Sequence, residues 1–238
     1  MSSQENKPAR FGAPEPCSQT FQIASTQTIS GTGAFHIGAL FLARSVLQAS
    51  SRIAHIGLPT WGNYLPMLKL VGLDAAFYKH YDPARGSVDF DSVLQAVRSA
   101  PEGSPFILQA CCHNPTSADF TKDRWHTLAD EMELRGHLPV FDIAYQGLGS
   151  GVDEDAYAVR YFEARGFEML VCQSFSKNFA LYGERCGALH VVCPSEGIAI
   201  SVHDQLRFLV KSEFSSSPAF GARIVENVLS NPGKKDMW

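Results

Sequence analysis

One lysine, Lys177, stands among small hydroxyl residues directly after an apolar run of the sequence. Ser174 and Ser176 precede it, and Arg185 follows it by eight residues. Hydroxyl groups and a forked guanidinium commonly bind phosphate. A phosphate beside a lysine that can act as a nucleophile favours a Schiff base between Lys177 and pyridoxal phosphate. The alternative is a solvated lysine in a turn.

A second candidate for binding phosphate is the segment Ser30-Gly31-Thr32-Gly33 at the start of a predicted helix. It offers backbone N–H groups, two hydroxyls and the positive end of a helix dipole. A glycine-rich turn with a Ser or Thr cap explains the same residues equally well. The dinucleotide-binding motif GxGxxG would need glycine where His36 stands, and the lysine of a P-loop is missing. A dinucleotide-binding fold is therefore disfavoured, but it is the main alternative to a pyridoxal phosphate site when only the sequence pattern is considered.

A carboxylate, Asp142, closes the apolar run LPVFDIAY. A carboxylate among apolar neighbours is costly unless it has a partner. It either caps the following turn or pairs with a protonated pyridine nitrogen, which makes such a ring an electron sink. Tyr145 and Asn114 could hydrogen-bond the phenolic oxygen of the ring, and Trp61 could stack on it. Each of these residues alone is more often structural, but together they form the parts of one cofactor site.

Short apolar runs that alternate with helical patterns must position these residues. The strand-like runs cover residues 53–58, 75–81, 105–112, 138–145, 168–175 and 188–193, and helical periodicity covers 33–48, 91–100, 122–135, 153–165, 203–211 and 219–229. This alternation predicts an α/β fold, in which a mostly parallel sheet has helices on both faces and right-handed crossovers. Ligands of such sheets bind beyond the carboxyl ends of the strands, where the candidate residues stand.

The composition is that of one globular domain. The chain has 238 residues, of which 45% are hydrophobic and 18% charged, and its net charge is −4. These values exclude collagen, coiled coils and bulk disorder, and they disfavour nucleic acid and anionic membranes as partners. The N-terminal residues have the features of neither a signal peptide nor a transit peptide, and no apolar run is long enough to span a bilayer, so the cytoplasm is the expected compartment. Residues 1–29 have no sustained period and predict an irregular N-terminal arm remnant.

Six cysteines stand mostly within the apolar runs, without CxxC spacing or a paired histidine motif. This pattern favours buried, reduced thiols over a zinc site or disulfides. Cys111 and Cys112 are adjacent and would point to opposite faces of a strand, which argues against a disulfide between them. The sequence therefore predicts no metal.

Five segments together resemble one enzyme family. SGTGA (30–34), PTWGNY (59–64), ACCHNPTS (110–117), FDIAYQG (141–147) and QSFSKNFALYGERCG (173–187) are similar to the aspartate aminotransferases, which belong to the fold-type I pyridoxal phosphate enzymes. The resemblance runs from about residue 27 almost to the end of the chain. It implies the large cofactor-binding domain of that fold over residues 30–238, incomplete at its C-terminal end.

The resemblance also implies a role for each candidate residue. Lys177 would form the Schiff base and move the proton between the amino acid α-carbon and the cofactor, Asp142 would pair with the ring nitrogen, and Tyr145 would bind the ring oxygen. Asn114 would share that oxygen, Trp61 would stack on the ring, and both would contact the substrate. The implied phosphate ligands are Ser30, Gly31, Thr32, Ser174 and Arg185. The bonds Leu58-Pro59 and Asn114-Pro115 would be cis.

The implied reaction is transamination between L-aspartate, or a related amino acid, and 2-oxoglutarate in two ping-pong half-reactions. The implied assembly is a homodimer with its sites at the interface, acting in amino acid metabolism. Lys211 stands where the family has the arginine that binds the distal carboxylate of the substrate from the neighbouring subunit, which puts the preference for dicarboxylates in question. Ser117 and Ala180 stand where the family usually has glycine.

The ends of the chain depart from the family. Full-length relatives have a longer N-terminal region and a small C-terminal domain, which carries the arginine for the substrate α-carboxylate. The alternative function is therefore a truncated fragment that binds pyridoxal phosphate, or another protein, with little or no turnover. Because a natural N-terminus could precede residue 1, a mitochondrial address is compatible with the sequence as well.

Overall fold

The computed structural model describes residues 22–47 and 52–238. Its strands are β1 (Gln22–Ile29), β2 (Ile53–Leu58), β3 (Asp74–Lys79), β4 (Tyr81–Asp82), β5 (Ser87–Val88), β6 (Pro105–Gln109), β7 (Leu138–Ile143), β8 (Met169–Ser174) and β9 (Cys186–Cys193). Seven of them form one sheet in the order β1-β9-β8-β7-β6-β2-β3. β4 and β5 pair as a separate antiparallel ribbon.

Most of the large sheet is parallel. β3, β2, β6, β7 and β8 each run parallel to their neighbours in that order, whereas β9 runs antiparallel to both β8 and β1. The link between β8 and β9, residues 175–185, contains no helix. A short link can join antiparallel neighbours, whereas parallel neighbours need a longer crossover. The direction of β9 follows from this.

The helices are α1 (Ser30–Phe41), which continues as a π-helical turn over Leu42–Val46, α2 (Tyr64–Leu70), α3 (Phe90–Ser99), α4 (Lys122–Leu134), α5 (Val152–Asp155), α6 (Tyr157–Ala164), α7 (Glu196–Glu213), α8 (Ala219–Leu229) and α9 (Pro232–Met237). Asp89, Thr121 and Ser195 cap α3, α4 and α7 by accepting a backbone N–H of the first turn. Within the described part of the chain, no helix combines the length and apolarity needed to cross a bilayer.

Two hydrophobic cores hold six of these helices on opposite faces of the sheet. α1, α2 and α7 pack in one core, and α3, α4 and α6 pack in the other. Neighbouring residues of β8 divide between them: Leu170 and Cys172 lie in the first core, Met169 and Val171 in the second. A strand that is buried on both faces needs apolar side chains at successive positions, which explains why the sequence of β8 begins with the apolar run MLVC. The predicted α/β fold with a mostly parallel sheet is confirmed.

Some predicted boundaries need correction. Residues 22–29 are not irregular, because they form β1 in register with β9; residues 1–21 of the predicted arm lie outside the described residues. α7 begins at Glu196, seven residues before the predicted start, because Ser195 provides the cap. The predicted strands 105–112 and 138–145 end earlier, at Gln109 and Ile143. α1 begins at Ser30 rather than at residue 33.

Candidate active site

The residues that could carry chemistry lie where the parallel strands β6, β7 and β8 end. Asn114 follows β6, Asp142 is the penultimate residue of β7, Tyr145 follows β7, and Lys177 follows β8. Because the carboxyl ends of neighbouring parallel strands meet at one edge of the sheet, the fold places these four residues at the same edge. This is the placement that the sequence predicted.

Three buried hydroxyl groups form a cluster between the start of α1 and the end of β8. The Oγ atom of Ser30 lies 3.1 Å from the Oγ atom of Ser174 and 2.6 Å from that of Ser176. The close approach depends on Gly31, because a Cβ atom at that position would lie 2.9 Å from Ser174 Cβ. Glycine at position 31 therefore lets the helix start touch the strand end.

The start of α1 adds donors and positive potential to this cluster. No side chain caps the helix there, and its first turn contains no acidic residue. The backbone N–H groups of that turn after Ser30 are therefore available to an anion, which the helix dipole also favours. The backbone of Arg185 lies next to this helix start, because its carbonyl oxygen accepts a hydrogen bond from the Ser30 N–H at 3.0 Å. The guanidinium of Arg185 donates to the carbonyl oxygen of Tyr182 at 2.8 Å.

Asp142 is held by a hydrogen bond from a buried tyrosine. The hydroxyl of Tyr64 donates to Asp142 Oδ2 at 2.5 Å. Burial raises the pKa of Asp142 to about 6, while the hydrogen bond from Tyr64 and the positive charge of Lys177 act in the opposite direction. The carboxylate thus remains mostly ionised at neutral pH and can pair with a protonated nitrogen.

The amine of Lys177 lies over an aromatic ring. Its Nζ atom is 4.8 Å from the centroid of the Tyr145 ring, a distance typical of a cation–π contact. Burial, and then the negative charge of Asp142, raise the pKa of the Tyr145 hydroxyl. Tyr145 therefore keeps its proton near neutral pH and can donate a hydrogen bond to a ligand beside Lys177.

Two side chains that sequence reasoning did not select fix the loops of the site. The side-chain oxygen of Gln146 accepts a hydrogen bond from Gln173 Nε2 at 3.0 Å, and its backbone carbonyl accepts one from Asn178 Nδ2 at 3.0 Å. These two bonds connect the loop after β7 to the turn that contains Lys177. The buried carboxylate of Asp155 accepts three backbone N–H groups from the same loop, those of Gly147, Gly149 and Ser150. Their signal in the sequence is weak, because such contacts depend on how the loops fold together.

The other predicted site residues occupy less central positions. Trp61 is half-buried and packs edge-on against Tyr64, with ring centroids 5.2 Å apart. Asn114 is held through its backbone, which donates to Gln109 Oε1 at 2.7 Å. Thr32 lies exposed in the first turn of α1, and Lys211 lies exposed near the end of α7, without an ion pair to any described residue.

The backbone confirms the two cis bonds that the resemblance implies. The bonds Leu58-Pro59 and Asn114-Pro115 are cis. Ser117 and Ala180, which stand where the family usually has glycine, both have a φ angle of 53°. This left-handed conformation suits glycine, so both residues hold a strained backbone.

The groups present fit the three parts of pyridoxal phosphate. The hydroxyls of Ser30, Ser174 and Ser176 with the uncapped start of α1 suit its phosphate. The amine of Lys177 suits its aldehyde. The Asp142 carboxylate suits its ring nitrogen, since it is partly buried and has a single donor, Tyr64, among the described residues.

Comparison with known proteins gives one consistent family. The model of the aminotransferase class I and II family matches residues 8–238. Aminotransferase tasG of Hapsidospora irregularis is 62% identical over 210 residues, which are 88% of this chain and 64% of that protein. The cytoplasmic aspartate aminotransferase of rice, Oryza sativa subsp. japonica, is 42% identical over 229 residues, which are 96% of this chain and 56% of the rice protein.

Solved structures of this family have the same fold. The aromatic-amino-acid aminotransferase of Burkholderia pseudomallei, solved with covalently bound pyridoxal phosphate, superposes with a TM-score of 0.87 at 36% identity. The match covers 91% of this chain and 53% of that protein. The chain thus spans between about half and two thirds of the length of the relatives it matches.

Proposed function

Because the chain belongs to the aminotransferase class I and II family, we propose that it contributes a site for transamination between L-aspartate, or a related amino acid, and 2-oxoglutarate. Pyridoxal phosphate is the cofactor expected for the family. When bound, it supplies an aldehyde for covalent attachment to an amine and an electron-poor ring that stabilises negative charge on the amino acid α-carbon.

One observation carries the proposal: the amine of Lys177, the carboxylate of Asp142 and the hydroxyl cluster of Ser30 lie at one edge of the sheet. A lone lysine in a turn does not need a partly buried carboxylate, and a capped turn does not need three buried hydroxyls. A pyridoxal phosphate site needs all of them, because it must hold a phosphate, a ring nitrogen and an aldehyde at fixed separations.

In this proposal each side chain has one task. Lys177 accepts the proton from the amino acid α-carbon and returns it, acting as base and then as acid. Asp142 keeps a proton on the ring nitrogen. Tyr145 and Asn114 donate to the ring oxygen, and Trp61 covers the ring.

The substrate class is proposed from the family and from one charged residue. Curated relatives include both aspartate and aromatic-amino-acid aminotransferases. We propose a homodimer, in which Lys211 of one subunit would approach the substrate in the other. A lysine there keeps the positive charge that attracts a distal carboxylate but lacks the bidentate fork of arginine. L-aspartate would therefore bind, with a weaker preference over neutral amino acids than an arginine would give.

A second candidate function is a fragment that binds the cofactor with little or no turnover. The chain spans 56% of the length of the rice aspartate aminotransferase. Binding of the cofactor needs the residues described above, whereas turnover also needs groups that orient the substrate. The two functions differ in the amount of 2-oxo acid that the protein releases.

The test begins with the visible absorbance of the purified protein after addition of pyridoxal phosphate. After unbound cofactor is removed, we expect the absorbance band of a Schiff base in the wild type and in Lys122→Ala, but not in Lys177→Ala. Lys122 is a matched control because its Nζ atom lies 4.7 Å from the ring of Tyr157, a contact like that of Lys177 but on α4. A band of equal strength in Lys177→Ala would refute the proposed site.

Turnover is tested by adding L-aspartate to the loaded protein and assaying oxaloacetate. Transamination predicts about one oxaloacetate per bound cofactor without 2-oxoglutarate, and continuous formation once it is present. A band without oxaloacetate would favour the fragment. Parallel assays with L-phenylalanine measure the preference attributed to Lys211.

A further inference from the structure

We propose that Tyr64 is a positioning residue that holds the Asp142 carboxylate in place and keeps it ionised for the ring nitrogen of the cofactor. The inference rests on the proposed function and deepens it. Tyr64 belongs to the segment PTWGNY, in which sequence reasoning selected only Trp61.

The first support is the rigidity of the donor. Tyr64 is the first residue of α2 and its side chain is 1% exposed. Its ring packs against Phe35, with centroids 4.8 Å apart, and against Trp61 at 5.2 Å. The phenol ring therefore has no space to swing away, and its hydroxyl is fixed relative to the end of β7.

The second support is the geometry of the hydrogen bond. The distance of 2.5 Å from Tyr64 Oη to Asp142 Oδ2 is at the short end of the range for a hydroxyl that donates to a charged oxygen. Asp142 accepts no other side-chain hydrogen bond from the described residues. One carboxylate oxygen is thus held by Tyr64, and the other is left for the ring nitrogen.

The third support is the set of ionisable groups around Asp142. Lys177 lies on the turn after β8 and favours the ionised carboxylate through its charge, as Tyr64 does through its hydrogen bond. Cys172 and Tyr145 also face Asp142, but burial and the carboxylate raise the pKa of both, so they stay neutral near pH 7. Tyr64 is consequently the hydrogen-bond donor that opposes the effect of burial on Asp142.

The test compares the dissociation constant of pyridoxal phosphate for the wild type and Tyr64→Phe between pH 5.5 and 8.5. Loss of a hydrogen bond to a charged group should raise the pKa of Asp142 by about one to two pH units. Binding to the variant should then be roughly 5- to 50-fold weaker at pH 6, but within about twofold of the wild type at pH 8.5. Tyr78→Phe is the matched control: it removes one hydroxyl from a tyrosine in β3, three strands away from β7.

The pH dependence separates positioning from a merely structural role. If Tyr64 only fills space, Tyr64→Phe should bind the cofactor equally at all pH values, or more weakly by one constant factor. Either result would overturn the inference while leaving the proposed function intact. If the wild type itself binds no pyridoxal phosphate at any pH, the proposed function fails, and the inference with it.

A second measurement applies if Tyr64→Phe does not fold. Cofactor-free wild type is prepared with 3-fluorotyrosine, whose more acidic hydroxyl is a stronger donor, and the carboxyl carbon of Asp142 is followed by NMR. The titration of Asp142 should move to lower pH than in the unfluorinated protein. An unchanged titration would overturn the inference.

Discussion

Replacement of Gly31 by alanine should disturb the phosphate end of the site. A Cβ atom at position 31 would lie 2.9 Å from Ser174 Cβ, well inside normal contact distance. Neither atom is at the flexible end of a side chain, so the start of α1 and the end of β8 must move apart. That movement would pull the Ser30 hydroxyl away from those of Ser174 and Ser176, which lie 3.1 and 2.6 Å from it.

A matched variant isolates the free-energy cost of the clash at position 31. Overpacking of this kind costs about 1 to 3 kcal/mol. Alanine is also favoured over glycine in a helix by up to about 1 kcal/mol, which partly masks the cost. Gly197 is the second residue of α7, as Gly31 is of α1, and a Cβ atom there would meet nothing within 4 Å. The difference between Gly31→Ala and Gly197→Ala therefore measures the clash.

Two assays report the result. In urea titrations, Gly31→Ala should be less stable than Gly197→Ala by about 1 to 3 kcal/mol. A free energy of 1.4 kcal/mol corresponds to a tenfold change in affinity, so Gly31→Ala would bind pyridoxal phosphate roughly 5- to 150-fold more weakly if the bound state carries the full cost of the clash. Gly197→Ala should bind the cofactor like the wild type. Equal stability and equal affinity of the two variants would show that a Cβ atom at position 31 does not separate α1 from β8.

Two further predictions concern stability. The free energy of unfolding, measured in urea, should be lower at pH 5 than at pH 7 by about 2 kcal/mol or more. Burial lowers the pKa of His55 to about 4 and that of His113 to about 3. Because the unfolded chain binds protons at these histidines below about pH 6.5 and the folded chain does not, unfolding takes up protons there. The raised pKa of Asp142, about 6, offsets part of this change, and equal stability at both pH values would contradict the prediction. Asp155→Asn should lower the free energy of unfolding by about 1 to 3 kcal/mol, because an amide cannot accept all three backbone N–H groups that the carboxylate accepts. Asp153→Asn removes only an exposed pair with Arg160 and should cost less than about 1 kcal/mol; a loss as large as that of Asp155→Asn would contradict the distinction.

The elements with a clear period were predictable from the sequence. β2 and α8 have the predicted boundaries, because an apolar run and a helical period each end at polar or turn residues. β1 was not predictable in the same way. It is an edge strand in which only Ala24 and Thr28 are buried. Its sequence QIASTQTI therefore lacks the regular alternation of apolar and polar residues that is typical of a half-buried strand. Its pairing with β9, far along the chain, defines it as a strand.

The same division applies to the site. Lys177, Asp142 and Tyr145 were predictable because each stands at the end of an apolar strand or just after it, and parallel strands bring such residues together. Tyr64 was not, because its role depends on a contact with Asp142, 78 positions away. Which hydroxyls meet at Ser30 likewise depends on the close approach that Gly31 allows.

We propose that Lys177 is the residue that binds pyridoxal phosphate covalently. The most direct measurement is reduction of the loaded protein with sodium borohydride, followed by proteolysis and mass spectrometry of the peptides. If Lys177 is the covalent site, the peptide that contains Lys177 should carry the added mass of the reduced cofactor, and that mass should be lost in Lys177→Ala. The added mass on another lysine, or on none, would show that Lys177 is not the covalent site.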